Sequence, residues 1–374
     1  MVKRLIVMIY RSYLRKKLPM TDPRGLHLLS DLYMDDYRKN IRKMASVFKA
    51  HRAGFAYSDW CLLTDKPYTP EDYLNTADYY SLHPLNGNET AWIDDKLTLK
   101  YIMNGTLLGK YMPEYYFQIN DADTILPLVD YHGNNDEKVT LDDVTSLLMQ
   151  KKKLAFKKIV ASMGDGFIKA EYNGTDEVFT LNDQKYSKDG VISALSGLKG
   201  YLVMELLEPH PYFAQFSTRS IGCLRFQIGR RLSGKTEELF AYMRIGTEKS
   251  GCVENYDAGG VLTYVKNGTF KGGHILDKNT KKDSYIEKHP DNGMEIKGTF
   301  PMWNEIRDTA FRIAELMPQL NYFGIDFCLT NQNEIKVLEI NSLTSLIGFQ
   351  LEQPALKNRV GDFFRERLTH NKRH

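Results

Sequence analysis

The chain has 374 residues, 42% of them hydrophobic and 26% charged, with a formal net charge of +3. That length allows two or three domains with real cores, and so small a charge excess does not argue for nucleic-acid binding. Cys61, Cys223, Cys252 and Cys328 lie far apart with no C-x-x-C pair, so neither a zinc site nor a disulfide framework is indicated and a reduced, cytoplasmic setting is expected.

The first 17 residues contain Lys3, Arg4, Arg11, Arg15, Lys16 and Lys17 and no acid. The apolar run from Leu5 to Tyr10 is too short to span a bilayer, and no small-residue cleavage site follows it. Two readings stand for this segment: a buried strand or helix with basic flanks, or a basic amphipathic segment resting on anionic lipid at the inner face of a membrane. Up to about Asp95 the chain reads as mixed helix and loop. Helical spacing runs from Leu26 to Lys49, and Thr64 to Pro84 is turn-rich around Pro67, Pro70 and Pro84. A helix is predicted from Thr140 to Lys153, with Asp142 and Asp143 early and lysines late, in keeping with the helix dipole.

A β-rich block follows. Leu154 to Ala161 reads as a strand, Ser162 to Gly166 as a loop with Gly164 and Gly166, and Phe167 to Tyr172 as the return strand. Such a loop can fold over phosphates through backbone N–H groups, or serve as an ordinary turn. No P-loop or dinucleotide fingerprint is present. A helix is predicted from Val191 to Leu198, then an apolar strand from Tyr201 to Leu207 containing Glu205. Glu208-Pro209-His210-Pro211 ends that strand, because proline cannot continue the ladder.

Arg225 and Arg244 sit inside apolar strand-like runs, where an unpaired charge is costly. They require anionic partners, either structural carboxylates or bound phosphate and substrate carboxylate. Met302 to Met317 has the stripe of an amphipathic helix packed on a core. Tyr322 to Asn341 then reads as a β-hairpin around Asn331-Gln332-Asn333-Glu334. With the turn centred between Gln332 and Asn333, Asp326 falls opposite Glu339, and Asn341 shares that face. Two facing carboxylates and an amide oxygen call for a cation, and hard oxygen ligands suit Mg²⁺. In the alternative, one acid points to solvent. Leu356 to Leu368 closes the pattern as a helix.

Gly324-Ile325-Asp326-Phe327 followed by Val337-Leu338-Glu339-Ile340-Asn341 resembles the metal-binding end of the ATP-grasp fold. Pro209-His210-Pro211, Ser220 through Arg225, Met243-Arg244-Ile245-Gly246 and Glu254-Asn255-Tyr256 to Gly259-Gly260-Val261 resemble its sugar-transfer-associated branch, found with cell-surface polysaccharide biosynthesis. Glu254 stands where that branch would lead one to expect aspartate. The resemblance covers roughly residues 95–345 and implies an α+β chain in which two subdomains grip ATP, after an N-terminal mixed region. The expected divisions are 1–95, shaping acceptor choice; 96–205, the first half with its glycine-loop lid; and 206–374, the second half with the metal hairpin and C-terminal helix.

The resemblance also implies roles. Asp326, Glu339 and Asn341 would hold Mg²⁺, with Glu339 bridging two ions. Lys158, with Lys157 as runner-up, and Gly164 and Gly166 would contact the phosphates of ATP. Glu205, Leu206 and Leu207 would read adenine, Glu208 would reach ribose, and Arg225 and Arg244 would serve catalysis. The implied activity is an ATP-dependent carboxylate–amine ligase joining an amine to a sugar carboxylate, small or lipid-linked, through an acyl phosphate. A sugar kinase and a non-catalytic nucleotide-binding scaffold are the alternatives. Nucleic acid is not an expected partner.

Overall fold

The computed structural model describes residues 22–64, 66–133, 138–160, 166–251, 253–277 and 280–371. The basic segment of residues 1–17 and Gly164 lie outside the described residues. The chain divides into a large unit of residues 1–93, 213–327 and 339–374, and a small unit of residues 94–212 and 328–338.

The large unit begins with helices. Helix α1 (Pro23–Lys39) is capped by Asp22, whose carboxylate accepts the Arg24 N–H at 2.7 Å. The single helical run read from Leu26 to Lys49 is broken. α1 ends where the Asn40 side-chain amide donates to the Asp36 carbonyl at 2.9 Å, a 3₁₀ turn covers Ile41–Lys43, and α2 (Met44–Arg52) follows. The turn-rich reading of Thr64 to Pro84 missed a short helix. After α3 (Tyr57–Leu63) comes α4 (Thr76–Ser81), started by the Asn75 side chain accepting from the Asp78 N–H at 2.8 Å. Gly25 lets α1 approach that helix closely: a Cβ there would lie 2.1 Å from the Tyr80 carbonyl oxygen.

The small unit is an antiparallel sheet with helices. α5 (Lys96–Asn104) is capped by Asp95, and β1 (Tyr115–Asp121) and β2 (Thr124–Pro127) follow. The predicted helix at 140–153 is α6 (Leu141–Lys151), opened by a Thr140–Asp143 capping box and closed by Lys152 at φ 69°. Then come β3 (Lys153–Lys158), β4 (Ile168–Asn173), β5 (Val178–Leu181), β6 (Gln184–Tyr186), α7 (Lys188–Leu195) and β7 (Tyr201–Glu205). The sheet order is β2-β1-β7-β3-β4-β5-β6. Phe117, Phe156 and Val203 from its strands, with Val144 and Leu148 of α6 and Val191 and Leu195 of α7, form one core.

The rest of the large unit is a second sheet. Its strands are β8 (Cys223–Arg230), β9 (Thr236–Ile245), β10 (Val261–Lys266), β11 (Thr269–Lys271), β12 (Gly273–Asp277), β13 (Lys282–Ile286), β14 (Lys297–Thr299), β15 (Tyr322–Leu329) and β16 (Ile335–Asn341). The main path runs β13-β12-β10-β9-β8-β15-β16, and β11 joins β10 to β14. α8 (Trp303–Leu316) packs on β8, and α9 (Arg359–Asn371) closes the chain. The N-terminal helices share this unit's core: Leu63, Leu74 and Tyr79 cluster with Tyr322, Phe349, Phe363 and Phe364. Polar ties reinforce it. The Tyr79 hydroxyl donates to the Thr344 carbonyl at 2.6 Å, and the Leu74 N–H to the Gln350 side-chain oxygen at 2.8 Å.

Candidate active site

The centre of the large unit's sheet carries a buried charge cluster. Asp326 on β15 pairs directly across with Arg225 on β8, and Cys223, one step away on the same face, pairs with Arg244 on β9. Arg225 grips both oxygens of Asp326, with its Nη2 at 2.8 Å from Oδ2 and its Nε on Oδ1. Arg244 Nη2 donates to the same Oδ2 at 2.8 Å and to Cys223 Sγ at 3.0 Å. Gly324 makes room for this arrangement, since a Cβ there would stand 2.5 Å from Arg225 Cδ. The anionic partner that the two arginines required is thus a carboxylate of the sheet itself.

The electrostatics follow from depth. Burial pushes the Asp326 carboxyl up, but the Arg225 and Arg244 charges outweigh it and hold the group at about 2. Burial likewise disfavours the charged forms of both guanidiniums, and Asp326 reverses that, leaving each firmly protonated. The Cys223 thiol is pushed well up by burial and remains protonated, so it is no nucleophile.

Arg244 is also aimed from the loop before β10. The Asn255 side-chain oxygen accepts from its Nη1 at 2.9 Å, and Glu254 lies 3.8 Å from its Nη2. The loop itself is anchored. The Tyr256 hydroxyl donates to Asp283 Oδ1 at 2.7 Å, while Asp283 Oδ2 takes Lys66 Nζ at 2.8 Å and lies 2.8 Å from His274 Nδ1. Sequence reasoning missed Asn255 and Asp283 as supports. The signal for Asn255 was its place in the quoted Glu254-Asn255-Tyr256 run; for Asp283, 29 positions beyond Glu254, there was none. One donor stays unused: Arg244 Nε is buried and has no hydrogen-bond partner among the described residues.

Glu339 and Asn341 of β16 join this cluster. The Glu339 side chain lies within reach of Asp326, and Asn341 Nδ2 donates to Glu339 Oε1 at 3.2 Å. The hairpin turn differs by half a step from the predicted centre. The Thr330 N–H donates to the Glu334 carbonyl at 2.9 Å, and Asn333 takes φ 60°, so the loop is the odd-membered 331–333, centred on Gln332. Strict counting from that turn would set Asp326 opposite Leu338. The alternation of burial along β16 breaks there: Val337 and Ile340 are buried while Leu338 and Glu339 are both half-buried. Three oxygen-bearing side chains therefore converge, a donor set that fits a small hard cation. Among the described residues no three His, Cys, Asp or Glu side chains form a metal cluster, so a cation here depends on the Asn341 amide oxygen. With two guanidiniums already on Asp326, the charge left for an ion is centred on Glu339.

The small unit holds the other expected residues. Lys158 pairs across β3–β7 with Tyr201. Gly166, at φ 72°, lies against both: a Cβ there would be 2.6 Å from the Tyr201 hydroxyl and 2.8 Å from Lys158 Cε. Lys157, on the other face of β3, sits 5.8 Å from the Phe167 ring centroid instead. β7 ends at Glu205, whose carboxylate accepts the Glu114 N–H at 3.2 Å, and Leu206 and Leu207 continue half-buried beyond the strand. Glu208 is engaged by Lys153 and by Asn331 Nδ2, the latter at 2.7 Å. Its neighbours pair with the hairpin tip: Pro209 bridges Thr330, and the His210 N–H donates to the Leu329 carbonyl at 3.0 Å.

The family model for sugar-transfer associated ATP-grasp matches residues 76–363, most of the chain and both units. The chain belongs to that family. Comparison of this ATP-grasp protein with curated proteins gives no match. Among solved structures it is similar to an N5-carboxyaminoimidazole ribonucleotide synthetase in its ADP complex, at 10% identity over 68% of this chain and 46% of that one, TM-score 0.37. It is also similar to the same synthetase from Thermotoga maritima, at 14% identity over 67% and 42%, TM-score 0.33. A third is the ATP-grasp ligase PsnB with its minimal precursor, at 12% identity over 75% and 63%, TM-score 0.39. The chain spans less than half the length of the two synthetases and less than two thirds of PsnB.

Proposed function

We propose that this ATP-grasp protein is an ATP- and Mg²⁺-dependent carboxylate–amine ligase acting on a sugar carboxylate, small or lipid-linked, in cell-surface polysaccharide biosynthesis at the cytoplasmic face of the membrane. A substrate carboxylate oxygen attacks the terminal phosphorus of ATP, and the bond to ADP breaks. An amine nitrogen then attacks the acyl carbon, forming the amide and releasing phosphate and a proton.

The observation that carries this reading is the orphaned Arg244 Nε beside a carboxylate–amide set. Arg244 is held on two sides by Asp326 and Asn255 and still has a buried N–H to give. A pre-aimed guanidinium donor suits an oxyanion that gains charge during acyl or phosphoryl transfer. Arg225 keeps Asp326 ionised and in place, acting through it as a positioning residue. Glu339, Asn341 and Asp326 would hold Mg²⁺, which when bound neutralises phosphate charge. In the small unit, Lys158 and Gly166 would contact phosphate, since the lysine stem packs along the glycine. Glu205 to Leu207 would offer backbone edges to adenine, and Glu208 would turn from Lys153 and Asn331 toward ribose.

³¹P NMR with Mg-ATP, hydroxylamine and a panel of sugar acids, beside Glu339→Gln, tests this. ADP, phosphate and hydroxamate formed only with a sugar acid, and lost in the variant, are expected. A phosphate monoester would make it a kinase. Nucleotide binding without turnover on any acid would make it a scaffold.

A further inference from the structure

We propose that the 3₁₀ turn Ile41–Lys43 and helix α2 form a docking surface for anionic lipid. It is independent of the ligase reading. Ile41, Met44 and Phe48 are 70%, 52% and 60% exposed. Met44 and Phe48 stand one helical turn apart, and Ile41 precedes them by a further turn, so the three make one stripe. The opposite side of α2 buries Val47 and Ala50 in the protein. The helix is therefore already packed, and the apolar stripe is surplus to the core.

The charges around the stripe are of one sign. Residues 37–58 contain six Lys and Arg and no Asp or Glu. Arg38 and Lys39 are spent on Asp35, at 2.6 and 3.7 Å, and Lys49 lies over the Trp60 ring at 5.7 Å. Arg42, Lys43 and Arg52 are exposed and form no ion pair among the described residues. The imbalance is local. Residues 37–58 carry 6 Lys and Arg against no Asp or Glu, whereas the whole chain carries 50 against 47. The remaining residues are net acidic, so an anionic surface attracts this end of the chain and repels the rest, which orients the protein on it. Nucleic acid would meet the charges but leave three large apolar side chains unused. A bilayer takes both, with Phe48 and Met44 entering the acyl boundary and the basic side chains at the headgroups.

The test is co-sedimentation of the full chain with phosphatidylcholine vesicles, with and without phosphatidylglycerol, for the native protein, Phe48→Glu and the pair Arg42→Glu/Lys43→Glu. Thermal melting confirms that the exposed substitutions leave the fold intact. Binding is expected only with phosphatidylglycerol, weakened by salt. The double variant should lower it on the order of twenty-five-fold, about five-fold for each basic side chain removed. Equal binding to neutral vesicles would overturn the proposal. So would undiminished binding by both variants, or a dimer in light scattering that Phe48→Glu dissolves.

Discussion

Asp326 and Glu208 are both carboxylates held by cationic side chains, yet they stand in opposite regimes. The Asp326 side chain is 1% exposed and bound by two guanidiniums; that of Glu208 is 40% exposed and bound by one flexible lysine and Asn331. In the first case the low dielectric makes the ion pair rigid and its loss expensive. In the second, water competes, so the contact orders a side chain without contributing much stability. The contrast separates a carboxylate fixed in place by buried charge from one whose exposed partners can be exchanged.

Substitution at the buried end has the largest expected effect. Asp326→Asn leaves Arg225 without a counter-charge and Arg244 with only the more distant Glu254, which should cost about 3–5 kcal/mol in urea unfolding and abolish ATP turnover by phosphate release. A loss no larger than that from Glu208→Gln would remove the distinction.

A titration sharpens it next, by setting the paired Asp326 beside a buried group with no charge partner. Burial pushes the His83 imidazole down to about 3, and its Nε2 has no hydrogen-bond partner among the described residues. As pH falls below the ordinary histidine value, the unfolded chain takes up a proton that the folded one refuses. Stability should therefore fall by roughly 1.4 kcal/mol per pH unit below about 6.5. Asp326, held at about 2, adds its own loss only further down, as pH drops below the ordinary aspartate value and through its folded one. Urea midpoints between pH 7 and 5 measure this, and His83→Phe should flatten the slope.

The smallest effect belongs to Glu208→Gln. It should change unfolding by less than about 1 kcal/mol while raising the Kd for ATP in calorimetry. An unchanged Kd would take Glu208 out of the ribose role.

How much of this was legible depended on the range of the contacts. The hairpin from Tyr322 to Asn341, α6 and α8 announce themselves through local period and capping, and they stand within a few residues of the expected places. The need of Arg225 and Arg244 for an anion was legible from burial. Its identity was not, because β8 and β15 are neighbours in space with Arg225 and Asp326 101 positions apart in sequence. Nothing local marks such a pair. The odd-membered turn was likewise hidden, since the turn residues suit an odd loop as well as an even one. The break at Asn40 was missed because the apolar period carries on through it, while the side-chain cap that stops the helix is a matter of hydrogen bonding.

The large unit is assembled from three stretches of chain, the first and last of which share a core. On the ribosome, the helices between residues 22 and 93 emerge before the rest of their unit. The partners of Leu74, Tyr79 and Asn86 (Gln350, Thr344 and Tyr322) emerge more than 200 residues later. Residues 94–212, whose seven-stranded sheet draws every strand from within that range, can mature in the meantime. These helices, made well before their partners, are thus among the last parts to be finished. Until then they wait with their aromatic faces uncovered, clients for whatever holds nascent chains apart.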